Sequence, residues 1–146
     1  MIVVDASVAT KWFLAEDETP LANALLNGTR KLFAPALIRV EVHAAITRRF
    51  RTGQAPEAEV RQACRDWYEM IDEGLLTLLV SEPDEPQAID LALQLKHPFQ
   101  DCLYLALAQR LQVPLVTADP KFIERTAGRY PAVQALTPLA AKTKPH

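Results

Sequence analysis

Apolar residues in this chain follow two alternating rhythms. Short, mainly apolar runs occur at residues 2–4, 32–34, 75–80 (interrupted by Thr77), 113–117 and 133–136. Between them lie longer stretches in which apolar positions recur every three or four residues. Brief β-branched or leucine-rich runs predict buried strands, and the three-to-four spacing predicts amphipathic helices. Helices are therefore expected over residues 7–15, 18–26, 36–51, 56–73, 86–95, 101–111 and 120–125. Asn27-Gly28, Gly53 and Gly74 stop three of them, and Pro20 suits the first turn of the second. The helix after Asp101 is apolar on every side from Cys102 to Ala108, as an interior helix must be. Strands alternating with helices predict an α/β fold in which a parallel sheet is covered on both faces and binds ligands beyond the carboxyl ends of its strands.

Four acids interrupt this pattern. Asp5 closes the run Ile2-Val3-Val4, and Asp119 follows Leu115-Val116-Thr117 by two residues. Asp101 opens the all-apolar helix. Glu41 lies three residues after Ile38 and four before Ala45, so it points with the apolar stripe of its helix. Taken singly, Asp119 before Pro120 is explained as a helix N-cap, Asp5 shares a capping role with Ser7, and Asp101 complements a helix dipole. Glu41 resists such an explanation, because burying an unpaired carboxylate is costly. Taken together, two acids at strand ends and two on core-facing helix surfaces can converge on one cleft. Neighbouring carboxylates a few ångströms apart repel by about 1 kcal/mol in water and about 4 kcal/mol at a protein-like dielectric. A hard divalent cation relieves that repulsion, and phosphoryl chemistry is its usual purpose. Ser7 and Thr117 each stand two residues from an acid, placed to hydrogen-bond a carboxylate or to serve as an ordinary cap and strand-end hydroxyl.

Composition narrows the choice. At 146 residues, 49% hydrophobic and 23% charged, the chain suits one ordinary globular domain. No apolar run reaches membrane-spanning length and no signal peptide is evident, so a cytoplasmic protein with no membrane association is expected. Residues 142–146 are expected to fray. Cys64 and Cys102 are expected as buried free thiols, and His43, His97 and His146 show no metal-ligand spacing. Net charge is −2, with Arg39, Arg48, Arg49 and Arg51 crowding one segment. Such arginines either solvate a helix face or hold phosphates; Lys11 and Lys121 are weaker candidates for the same task. Trp12 and Phe13 are expected in the core, with a dimer contact as the alternative. The glycines sit at turns and terminators, which excludes a nucleotide-cradling loop.

The segments Ile2-Val3-Val4-Asp5-Ala6-Ser7-Val8, the Glu41 helix after Pro35, His97-Pro98-Phe99-Gln100-Asp101-Cys102-Leu103-Tyr104-Leu105-Ala106-Leu107-Ala108, and Leu115-Val116-Thr117-Ala118-Asp119 resemble the ordered signatures of PIN domains. The similarity spans essentially the whole chain and is greatest to VapC-type toxins, the ribonuclease halves of toxin–antitoxin pairs. It implies a three-layer α/β/α sandwich around a central parallel sheet, forming a single domain over residues 1–141. It implies Asp5, Glu41, Asp101 and Asp119 as catalytic, metal-binding acids supported by Thr117 and Ser7. It further implies Mg²⁺ or Mn²⁺, hydrolysis of RNA (tRNA or rRNA) by an activated water, a homodimer, and inhibition by a cognate VapB-type antitoxin.

Other readings make different demands. A phosphatase of the haloacid dehalogenase type wants a second Asp two residues after the first, where this chain has Ser7. A receiver domain wants an acidic pair after the first strand. A PIN-fold nuclease of RNA maturation, or a non-catalytic α/β interaction module, would share the fold and differ in partner or in activity.

Overall fold

The computed structural model describes residues 1–137. The strands are β1 (Ile2–Val4), β2 (Leu32–Pro35), β3 (Thr77–Leu79), β4 (Leu115–Thr117) and β5 (Val133–Ala135). The helices are α1 (Ala6–Ala9), α2 (Thr19–Leu26), α3 (Ile38–Arg51), α4 (Glu57–Asp72), α5 (Glu85–Leu95), α6 (Phe99–Leu111) and α7 (Pro120–Thr126). The strands form one parallel sheet in the order β3-β2-β1-β4-β5. Right-handed crossovers put α1–α4 on one face and α5–α7 on the other. Helix contacts divide the same way, α3 packing on α4 and on α1, and α5 on α6.

The chain leaves β1 toward β2 on one side and leaves β4 toward β5 on the other, so the strand order reverses between β1 and β4. A reversal of this kind opens a crevice at the carboxyl ends of the two strands. Val3 pairs with Leu115 and Val4 with Val116, which places Asp5 and the segment after Thr117 side by side at its mouth. β1 is fully buried, as its unbroken apolar run requires. α6 lies on β1, β2 and β4 with Cys102 to Ala108 all buried.

Several elements depart from the periodicity. The helix expected over residues 7–15 is only α1 followed by a 3₁₀ turn, Thr10–Trp12. There the Thr10 hydroxyl bonds back to the Ala6 carbonyl at 2.7 Å, and the Trp12 indole N–H donates to the Ala22 carbonyl at 2.8 Å, which turns the chain into α2. Trp12 and Phe13 pack against the core, with Phe13 edge-on to Trp67 at 5.6 Å. The run 75–80 contracts to β3, because only Thr77 to Leu79 have partners in β2, and Leu75 and Val80 are exposed at the sheet edge. Phe50 and Tyr68, at helical spacing with the apolar positions of their helices, are exposed; α3 buries Ile38, Val42 and Ile46, and α4 buries Val60, Ala63, Trp67 and Met70, a narrower stripe. Cys102 is a buried free thiol, whereas Cys64 is only half-buried. The tail 142–146 lies outside the described residues.

Candidate active site

Asp5 is set in place by β1 and held there by groups from α1 and the end of β4. Its backbone is extended (φ −99°, ψ 175°) and its carboxylate caps α1, accepting the Val8 N–H at 3.2 Å. The Ser7 and Thr117 hydroxyls both donate to the same carboxylate. Each hydroxyl oxygen in turn accepts a backbone N–H from the end of β4: Ala118 to Ser7 at 2.9 Å, and Asp119 to Thr117 at 3.1 Å. Ser7 and Thr117 are thereby fixed as donors toward Asp5. Burial pushes the Asp5 carboxyl up to about 6; the Ser7, Thr117 and Val8 hydrogen bonds oppose this, and repulsion from Asp101 adds to it.

Glu41 stands in the first turn of α3, half-buried, and accepts the Tyr104 hydroxyl at 2.6 Å. Burial raises its pKa against the pull of Tyr104, and Asp101 raises it further. Tyr104 itself, buried beside Glu41, Asp5 and Asp101, is held in its neutral, donating form. Asp101, in the first turn of α6, pairs with His97 Nε2 at 2.8 Å. Burial raises its pKa, the hydrogen bond from His97 lowers it, and Asp119 raises it. Asp119 does cap α7, accepting the Lys121 N–H at 3.0 Å, and it remains half-buried at the crevice.

The four acids thus repel one another through Asp101, which acts on Asp5 and Glu41 and is acted on by Asp119. Among the described residues, the ion pairs of lysine and arginine go to Glu16, Glu18, Glu57 and Asp84, and none reaches this group. A gathering of carboxylate oxygens without a neutralising cation has the donor set of a hard divalent ion. Ligand atoms of His97, Asp101 and Asp119 also lie within 4.8 Å of one another. The residues present therefore fit a bound Mg²⁺ or Mn²⁺.

His97, which shows no metal-ligand spacing in the sequence, nevertheless stands in this cluster. Its spacing to Asp101, four residues across a helix start, permits the contact, but its tie to Arg125, 28 residues away, leaves no local pattern. Tyr104, one turn beyond Asp101, had no signal, because its partner is 63 residues away. Of the basic candidates, Lys11, Arg48 and Arg49 line a cleft of about 490 Å³ together with Ser7 and Glu41. Lys11 and Arg49 are both paired there with Glu16. Arg39 instead lies over the Tyr68 ring at 5.2 Å, and neither Arg39 nor Arg51 lines the cleft.

An all-parallel α/β sheet with four acids at its strand-order reversal defines an acidic-site class of α/β domains. Residues 2–128 match the PIN domain model, and the chain belongs to that family. It is 34% identical over 90 residues to Ribonuclease VapC1 of Mycobacterium tuberculosis, a match that covers 60% of this chain and 62% of that protein. A Pyrobaculum aerophilum crystal structure superposes with a TM-score of 0.70 at 19% identity, covering 95% of this chain and 92% of the other. A chain of a Klebsiella pneumoniae toxin–antitoxin complex superposes with a TM-score of 0.62 at 18% identity, covering 94% and 98%.

Proposed function

We propose that this protein is a VapC-type toxin: a Mg²⁺- or Mn²⁺-dependent endoribonuclease that hydrolyses RNA phosphodiester bonds, works as a homodimer in the cytoplasm, and is neutralised by a VapB-type antitoxin. The observation that carries this reading is the gathering of Asp5, Glu41 and Asp119 around Asp101 at the β1/β4 crevice, with no lysine or arginine ion pair reaching them among the described residues. The likeness to Ribonuclease VapC1 supports RNA as substrate, and the Klebsiella complex supports an antitoxin partner. No helix among the described residues is long and apolar enough to cross a membrane.

In this reading Asp5, Glu41, Asp101 and Asp119 hold the ion. When bound, Mg²⁺ or Mn²⁺ supplies charge for the phosphate and acidifies a water. The chain's own groups do the rest. Ser7, Thr117 and the Val8 N–H fix the Asp5 carboxylate, and Tyr104 fixes that of Glu41, so neither rotates when RNA enters. Arg48, on the cleft wall beside Glu41, is the cation available to a phosphate of the strand.

The test is incubation of purified protein with tRNA and rRNA, with and without EDTA, wild type beside Asp5→Asn. Cleavage by the wild type alone, abolished by EDTA, is the expected result. Full activity of Asp5→Asn with metal still bound would reject the site. Light scattering should give twice the 16.3 kDa chain mass. Co-expression with a small DNA-binding protein encoded next to it should suppress cleavage, which separates a toxin from a PIN nuclease of RNA maturation.

A further inference from the structure

The geometry points to His97 as a positioning residue that donates from Nε2 to Asp101 and is locked in that tautomer by Arg125, and not as a third ligand beside Asp101 and Asp119. The His97 side chain is only 3% exposed. It follows Lys96, whose left-handed backbone (φ 52°) ends α5, and its ring packs on Phe122 at 4.6 Å. Both ring nitrogens are engaged. One terminal nitrogen of the Arg125 guanidinium lies 2.8 Å from Nδ1 and 3.0 Å from the Lys96 carbonyl oxygen. That nitrogen carries two hydrogens, one for each partner.

A guanidinium offers donors and no acceptor, so Nδ1 must present its lone pair. The ring is then the neutral tautomer with its proton on Nε2, which faces Asp101 Oδ2 at 2.8 Å. A ring nitrogen that carries a proton cannot ligate a metal. One oxygen of Asp101 is tied to His97, and the other is left to turn into the crevice. Arg125, on α7, therefore acts on α6 through the imidazole between them, and the proximity of His97 to Asp101 and Asp119 does not make it a ligand.

The tautomer does not depend on a bound ion; its consequence for metal binding rests on the proposed function. The test is a two-bond ¹⁵N–¹H correlation spectrum of ¹⁵N-histidine protein without metal, with His97 assigned by its absence in His97→Gln. The expected spectrum shows His97 protonated at Nε2 and bare at Nδ1, unchanged when Mg²⁺ is added. In Arg125→Gln the lock is removed and the two tautomers mix. By calorimetry, His97→Gln, which keeps an amide donor, should bind Mn²⁺ within about threefold of wild type, and His97→Leu about tenfold more weakly.

Protonation at Nδ1 in the wild type, or loss of the Nε2 proton on adding Mg²⁺, would overturn the inference, as would Mn²⁺ binding by folded His97→Leu equal to wild type. The wild-type spectrum, assigned with His97→Gln, decides even where Arg125→Gln or His97→Leu fails to fold. Should the spectrum be as expected while no RNA is ever cut, the nuclease reading fails and the tautomer assignment stands.

Discussion

Asp5 illustrates at the residue scale how a poor environment for a charge becomes useful. Its folded pKa, about 6, lies above the ordinary 3.8, so the native state binds its proton more tightly than the unfolded chain does. The contribution to stability is full below about pH 4 and is lost as pH rises through 4 to 6, a change on the order of 3 kcal/mol at 1.36 kcal/mol per unit. Without metal, Asp5→Asn should therefore melt higher than wild type at pH 7 and show little advantage at pH 4, as read by calorimetric scans. Adding Mg²⁺ should narrow the gap at pH 7 by stabilising only the wild type. Tyr104→Phe removes one donor from Glu41 and little packing; cleavage should fall about tenfold while stability changes by about 1 kcal/mol.

Asp119 carries two duties at the scale of the element, since it caps α7 and faces the crevice. Substitution by Ser keeps the cap and by Ala loses about 1 kcal/mol, while both should abolish cleavage; urea melts beside RNA assays separate the two duties. α6 is the element on which the site stands. Leu105→Ala in its buried face should cost about 2–5 kcal/mol, measurable in the same melts. The interior helix was legible in the sequence because apolar residues surround it, and Asp5 and Asp119 were legible because each follows a strand. Glu41 was legible as a charge on a hydrophobic stripe. His97 and Tyr104 were not, since their roles come from Arg125 and Glu41, which no local pattern connects to them. The short α1 and the trimmed β3 were hidden for a related reason: side-chain hydrogen bonds and edge position, not apolar spacing, end them.

For the molecule as a whole, charge along the cleft is partly cancelled from within. Glu16 pairs with Lys11 and Arg49, leaving Arg48 outside that pairing on the wall. Glu16→Gln should release Arg49 to a passing strand, while Lys11 keeps Glu18 at 3.7 Å, so filter binding of RNA by an Asp5→Asn background in EDTA should tighten at low salt. The slope of log affinity against log salt should steepen by about 1. The order of the sheet has a consequence in time. β1 is the first strand to be synthesised, yet its neighbour at the crevice, β4, arrives much later, with Thr117 closing on Asp5 across 112 positions. Asp119, and a hydroxyl that orients Asp5, are missing until then, and Asp101 comes only shortly before. A nascent chain, or one released early, holds the front half of the pit with nothing to complete it. On the proposed function, cleaving power would therefore emerge in a single late event, when the finished chain folds and an antitoxin can meet it.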